Sequence, residues 1–216
     1  ALAAVRTPVL LGPTGIGKTA VAFALLQHWP LEVISADSRQ VYRGLDIGTA
    51  KPPARWLARL PHHGLDLVAP GERYSAGRFA ADAPLWIASI LLRERMPVVV
   101  GGTGLYVKAL VDGLFAEPPL DPTRRHELER WTRTLEPIDL VRWAARLDPG
   151  FQGGGRQRAV RAVEVALLTG RPLSYWQAAA RAQGAVRPWY VVLTAPRPVL
   201  HPVSYTHLTL PTNREV

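Results

Sequence analysis

The stretch Gly12-Pro13-Thr14-Gly15-Ile16-Gly17-Lys18-Thr19 brings together residue types that handle phosphate. Its glycines let successive backbone N–H groups turn inward around an anion, and a helix starting near Lys18 adds the partial positive charge of its N-terminus. Lys18 offers a compact ammonium to terminal phosphates, and the Thr19 hydroxyl is a hard oxygen suited to Mg²⁺. The spacing fits a phosphate loop, and the apolar run 8–11 before it supplies the strand such a loop requires. The loop identifies phosphate on the ligand. It leaves open whether phosphorus is transferred or only held as a leaving group.

A second set of polar residues falls at places where a parallel sheet would present them to the same ligand. Asp37 and Ser38 follow the apolar run 32–35, which puts them at the carboxyl edge of the sheet, where open α/β sheets bind ligands. A carboxylate there can take a proton from a nucleophile, hold Mg²⁺ or cap the next helix. Thr103, in "VGGTGLY", follows the run 97–100 at the same edge and also reads as a helix N-cap. Further along, Arg158 and Arg161 are spaced to share one helix face, with Val160, Val163 and Leu167 as the buried stripe. His62 and His63 have no cysteines or spaced carboxylates to complete a metal site and read as structural or surface residues.

The elements that position these residues follow from apolar periodicity. Strands are expected at 8–11, 32–35, 65–68, 97–100 and 190–194, alternating with helices at 18–28, 76–95 and from Gly104 towards Val111. This alternation predicts an α/β fold with a parallel sheet flanked by helices. From about Pro118 to Tyr190 the strand rhythm gives way to helical patterns, "PTRRHELERWTRTL" and "RQRAVRAVEVALLTG", the second stopped by Gly170 and Pro172. The expected organisation is a core over 1–118, an all-helical insertion over 119–187 and a returning last strand within 188–201. Residues 202–216 continue neither pattern and are expected to be a non-native tail.

Composition narrows the class of partner. With 26 Lys plus Arg against 17 Asp plus Glu, the net charge of +9 favours a polyanion. Lysine occurs only at positions 18, 51 and 108, all other basic residues being arginine, which marks those three as sites wanting a compact cation. The absence of cysteine excludes disulfides and thiolate metal sites and fits a reducing cytoplasm. No apolar run approaches the roughly 20 residues of a membrane-spanning helix, so no membrane is expected as a partner.

The string "DSRQVYRGLDIGTAKP" following "GPTGIGKT" resembles the tRNA dimethylallyltransferase family, also called tRNA isopentenyltransferases. The resemblance continues through "PHHGLDLVAPGERYSAGRFAADA", "PVVVGGTGLYVKALVDGL" and "QRAVRAVEVALLTGRPLS" and covers nearly all of residues 8–201. It implies a P-loop NTPase-like core in which the loop holds the diphosphate of dimethylallyl diphosphate with Mg²⁺, and the five-carbon group passes to the exocyclic amine of the adenosine 3′ to the anticodon. By resemblance, Asp37 is the general base and Thr103 lies near the reacting amine. Asp37, Ser38, Arg39, Gln40, Thr103, Arg125 (or its neighbour Arg124), Gln157, Arg158 and Arg161 contact the anticodon arm of tRNA. Apart from the resemblance, the lack of export signals leads us to expect a cytoplasmic protein, and a monomer is expected.

Two departures stand out. "QGGGR" at 152–156 replaces a polar turn and removes an N-cap before the basic helix, loosening the insertion's hinge. The resemblance also stops near His201, where the family continues into further helices, so a C-terminally truncated chain is expected, with apolar surface left open. Rival readings are a nucleotide or small-molecule kinase, an adenylate isopentenyltransferase acting on free nucleotide, and a non-catalytic nucleic-acid-binding module with the same loop.

Overall fold

The computed structural model describes residues 5–113, 120–179 and 184–196. The chain divides into two compact units, one drawn from Ala1–Gly113 with Gln183–Val216 and the other from Leu114–Ala182. The expected boundary at 118–119 and the tail at 202–216 lie outside the described residues.

The first unit is built on β1 (Val5–Leu11), β2 (Leu31–Ser35), β3 (His62–His63), β4 (Met96–Val100) and β5 (Val186–Val192), in the order β3-β2-β4-β1-β5. Every pairing is parallel, with Val9 opposite Val99 and Tyr190, and Val33 opposite Val98 and His62. Parallel strands need helical crossovers, supplied by α1 (Lys18–Leu25), α2 (Ala54–Leu57), α3 (Ala76–Leu92) and α4 (Gly104–Asp112). Together with the phosphate loop this is the P-loop NTPase-like α/β architecture anticipated from the sequence. Leu10, Ala22, Leu31, Val33, Leu60, Val98 and Val100 form one core cluster beneath α1, which fixes the start of that helix against the strand ends. The Ser75 hydroxyl caps α3 by accepting from the Arg78 N–H at 3.1 Å.

Two strand expectations shift. The run 65–68 is not a strand: the third strand lies at His62–His63, and Val68 makes only a single bridge to Tyr42. Asp66 adopts a left-handed φ of 53°, which breaks an extended run whatever its apolar pattern. The last strand begins at Val186, earlier than expected, and passes through Pro188. A proline is tolerated there because β5 is an edge of the sheet. Trp189, Tyr190, Val191 and Val192 on it are exposed.

One ionic knot locks the middle of this sheet. Glu32 on β2 is 3% exposed, and its carboxylate accepts from Arg93 Nε at 2.9 Å and Nη2 at 2.7 Å, with His63 Nε2 at 2.7 Å. The Arg93 hydrogen bonds, aided by His63 and opposed by burial, hold the Glu32 carboxyl down at about 2. Both histidines are therefore tied into the fold, since His62 Nδ1 lies 2.7 Å from the Leu60 carbonyl oxygen.

The second unit is helical: α5 (Pro122–Thr134), α6 (Pro137–Leu147), α7 (Arg156–Thr169) and α8 (Leu173–Ala179). Asp121 caps α5, its Oδ1 accepting from the N–H groups of Thr123 at 2.8 Å and Arg124 at 3.3 Å. Gly170 ends α7 at φ 70°, the left-handed stop that its sequence announces. At the other end Gly155 occupies the N-cap position with no side-chain hydrogen bond, as the missing polar turn implies. The buried stripe of α7 differs from expectation. Ala159, Ala162, Val163, Val165 and Ala166 are buried, whereas Leu167 is 39% exposed and Val160 only half-buried. Small alanines let α6 approach closely, and Leu140, Ala144, Ala159, Ala162 and Val163 make a common core.

Candidate active site

The phosphate loop runs from the end of β1 into α1, with Gly12, Gly15 and Gly17 at φ 154°, 81° and 90°. A Cβ on Gly12 would lie 2.8 Å from the Leu193 carbonyl oxygen, so the loop's first residue has no room for a side chain. Lys18 folds back over the loop, its Nζ donating to the carbonyls of Gly12 and Pro13, each at 2.9 Å. Burial lowers the Lys18 pKa, and the nearby Asp37 charge pulls the other way. This coupling places the ammonium and the Asp37 carboxylate in one electrostatic neighbourhood.

Thr14, Gly15, Gly17, Lys18 and Thr19 line a cleft of about 420 Å³ that also takes in Ser35, Asp37 and Gln40 from the end of β2, and Gly101 and Gly102 from the end of β4. Gly12, Pro13 and Ile16 do not face it; Gly12 and Pro13 instead hold Lys18. Asp37 is half-buried, and its Oδ1 accepts from the N–H of Arg39 at 2.8 Å and of Gln40 at 3.4 Å. It thus caps a turn with one oxygen, and among the described residues no hydrogen bond reaches Oδ2. The capping reading of this residue holds for that one oxygen.

Thr103 occupies the N-cap position of α4 but does not cap with its side chain. Its Oγ1 accepts from the Ser38 N–H at 3.0 Å and lies 3.3 Å from Ser38 Oγ, while its own N–H donates to the Ala36 carbonyl at 3.2 Å. The hydroxyl therefore ties the end of β4 to the turn carrying Asp37. Gly101 makes this junction possible, because a Cβ there would lie 2.2 Å from the Ala36 carbonyl oxygen. Arg39 is exposed and outside the cleft lining, as is the half-buried Ser38.

Gln40 is spent on structure. Its Oε1 accepts from the Ser35 hydroxyl at 2.8 Å, and its Nε2 donates to the carbonyls of Thr49 and Ala50 at 3.1 and 3.2 Å. Thr49, Ala50, Trp56 and His62 also line the cleft and were not singled out from the sequence as site residues. The signal was present in "GTAKP", whose lysine is one of three. Burial keeps His62 below the ordinary histidine range, and its Nδ1–H donates to the Leu60 carbonyl. Lys108 only pairs with Asp112 on the surface of α4, at 2.9 Å.

The remaining expected contacts belong to the second unit. Gln157 and Arg158 are exposed in the first turn of α7. Arg125 and Arg161 converge on Glu164, which is 5% exposed: Arg125 Nε lies 2.5 Å from Oε1, and Arg161 Nη1 lies 2.6 Å from Oε2. Arg125 Nε also lies 3.9 Å from Glu129 Oε1, so these guanidiniums are held in an ionic cluster at this spot.

Thr19 and the cleft suit Mg²⁺, which takes few protein oxygens and completes its shell with substrate phosphates and water. Among the described residues no cluster of three or more His, Cys, Asp or Glu that could hold a metal ion occurs.

Comparison with known proteins agrees with this geometry. The family model described as IPP transferase matches residues 40–203, and that described as isopentenyl transferase matches residues 5–62. A tRNA dimethylallyltransferase of Methylibium petroleiphilum is 50% identical over 183 residues, covering 81% of this chain and 54% of the relative. One of Anaeromyxobacter dehalogenans is 46% identical over 201 residues, covering 91% of this chain and 67% of the relative. Among solved structures, the tRNA isopentenylpyrophosphate transferase of Bacillus halodurans matches with a TM-score of 0.59 at 34% identity, over 92% of this chain and 63% of that one. A eukaryotic dimethylallyltransferase acting on tRNA shares the fold, with a TM-score of 0.71 at 24% identity over 90% of this chain and 50% of that one. The chain spans about half the length of most curated relatives it matches. Phosphate loop and Asp37 turn share one cleft, the Thr103 hydroxyl is tied to that turn at Ser38, the family model matches most of the sequence, and the chain belongs to the IPP transferase family.

Proposed function

We propose that the protein transfers a dimethylallyl group from dimethylallyl diphosphate to the exocyclic amine of the adenosine 3′ to the anticodon in tRNA. The observation that carries this reading is the shared cleft: a phosphate loop and a carboxylate with an uncommitted oxygen face the same space. Phosphate is then a handle, and the reaction occurs at carbon. The bond between the prenyl carbon and the diphosphate oxygen breaks with its electrons leaving on the diphosphate. The amine nitrogen forms the new bond to that carbon, and its proton passes to Asp37 Oδ2.

The loop N–H groups and Lys18 stabilise the departing charge, Lys18 exchanging the Gly12 and Pro13 carbonyls for phosphate oxygens. Thr19 would hold Mg²⁺ together with the diphosphate, and the bound ion adds positive charge where the leaving group gathers negative charge. Thr103, through Ser38, keeps the Asp37 turn in place. The target base must leave its stack to reach the cleft. Arg158 and Gln157, exposed on α7, with Arg125 and Arg161 held near them by Glu164, are assigned to tRNA backbone contacts. The same reading takes the protein to act as a cytoplasmic monomer; among the described residues no helix is long and apolar enough to cross a membrane. The kinase alternative has only the loop in its favour.

The test is incubation with radiolabelled dimethylallyl diphosphate, Mg²⁺ and unmodified tRNA, with an ATP control. Label should enter tRNA, and Asp37→Asn should cut the rate by about 10²- to 10⁴-fold with donor binding retained. Phosphate transfer from ATP in place of prenyl transfer would refute the assignment.

A further inference from the structure

Residues 42–51 form a loop whose last part, Thr49 and Ala50, lines the same cleft as the phosphate loop. Its backbone is held in a conformation that an L-residue resists: Ala50 has φ 52°, and Asp66, which faces the loop, has φ 53°. Lys51 sits where these features meet. Its side chain is 4% exposed, and Nζ donates to the Tyr42 carbonyl at 2.6 Å, Asp46 Oδ1 at 2.8 Å and Asp66 Oδ1 at 2.5 Å.

Those three acceptors come from the start of the loop, its middle and the neighbouring segment, so one ammonium closes the loop on itself and fastens it to the rest of the unit. All three N–H donors of the ammonium are used in this clip. A planar guanidinium cannot meet three oxygens arranged around a point, which accounts for lysine at this position in a chain with arginine at all but three of its Lys and Arg positions. The loop is fastened a second time where it meets the cleft, by Gln40 on the carbonyls of Thr49 and Ala50. The Thr49 hydroxyl is turned inward to the Leu45 carbonyl. With their polar groups so engaged, the wall residues present a fixed surface to whatever the phosphate loop holds.

We propose that Lys51 is a positioning residue of the donor site, clipping residues 42–51 so that Thr49 and Ala50 stand as a fixed cleft wall. This rests on the cleft being the site of the diphosphate donor. A clip that merely staples the fold would affect thermal stability alone. A positioning clip sets the fraction of molecules whose wall is in place and therefore scales the donor affinity in proportion to that fraction.

The experiment compares the full chain with Lys51→Met, which keeps length and apolar stem, and Lys51→Arg, which keeps charge but not the three-way geometry. Hydrogen exchange by mass spectrometry follows the amides of 42–50 beside those of β2 and β4. Calorimetric titration follows dimethylallyl diphosphate and, separately, inorganic pyrophosphate, each with Mg²⁺. Both variants should speed exchange in 42–50 by about tenfold or more, the equivalent of a lost charged hydrogen bond, and leave β2 and β4 unchanged. Donor affinity should fall about tenfold in both. Unchanged exchange in the loop, exchange raised equally throughout the sheet, or wild-type donor affinity in a variant with a loosened loop would each overturn the inference, as would wild-type behaviour of Lys51→Arg. Failure of the unsubstituted chain to bind either diphosphate would overturn the donor-site reading instead, with loop exchange still deciding whether Lys51 is the clip.

Discussion

The Glu32 knot offers a stability prediction whose size and pH dependence both follow from its geometry. Each tenfold change in proton affinity is about 1.4 kcal/mol, so holding this carboxyl at about 2 in place of its ordinary 4.5 corresponds to about 3 kcal/mol. That is an upper figure, because Arg93 is 45% exposed and water screens its side of the pair. The folded carboxyl binds its proton more weakly than the unfolded one. Its contribution is therefore complete above the ordinary carboxylate range and disappears as pH falls from about 4.5 towards about 2. Glu32→Gln keeps the shape and one acceptor but removes the charge. Urea unfolding should find the variant less stable by up to about 3 kcal/mol at pH 7, and the gap should narrow to about half that at pH 3. The narrowing isolates the carboxylate from steric consequences of the substitution, which do not titrate. A gap that stays constant between the two pH values would show that the carboxylate charge is not what holds β2 to His63 and Arg93.

Three further outcomes are expected. Gly101→Ala drives a Cβ against the Ala36 carbonyl at 2.2 Å, and overpacking of this kind should lower Tm by roughly 3 to 10 °C and weaken diphosphate binding in parallel. Asp148→Ala removes the acceptor for the N–H groups of Gly150 at 2.9 Å and Ser174 at 3.0 Å and for the Ser174 hydroxyl at 2.5 Å, and calorimetry should register a loss of about 2 to 4 kcal/mol with donor binding unaffected. Arg158→Ala should weaken tRNA binding to a similar degree for different tRNAs and reduce the slope of log affinity against log salt by about one, as loss of one phosphate contact requires.

The parts of the site that were legible in the sequence are those made within a few residues of one another. The phosphate loop is a strand, a glycine-rich turn and a helix start in immediate succession, so composition and spacing describe it fully. Asp37 was legible by its position after an apolar run, and its capping of Arg39 and Gln40 is again local. The misread strand at 65–68 shows the limit of periodicity. Leu65 and Leu67 alternate as a strand would, but Asp66 turns left-handed to put its carboxylate on Lys51 and its carbonyl on Arg43 Nε. The α7 stripe failed for a different reason: burial on that helix is decided by where α6 comes close, and alanines rather than the larger Val160 and Leu167 permit that approach.

The sequence by itself determined the alternation of strands and helices in the first unit, the anion-binding loop and the surplus of positive charge, because each depends on residue type and on neighbours along the chain. Tertiary structure alone decided what Thr103, Gln40 and Lys51 do. Thr103 turns its hydroxyl from its own helix to Ser38, across 65 positions of sequence. Gln40 joins β2 to Thr49 and Ala50, and Lys51 gathers three oxygens from separate turns of the backbone. A hydroxyl, an amide or an ammonium carries no information about which acceptor it will meet. That choice is made when the parallel strands pair and bring their carboxyl ends to one edge.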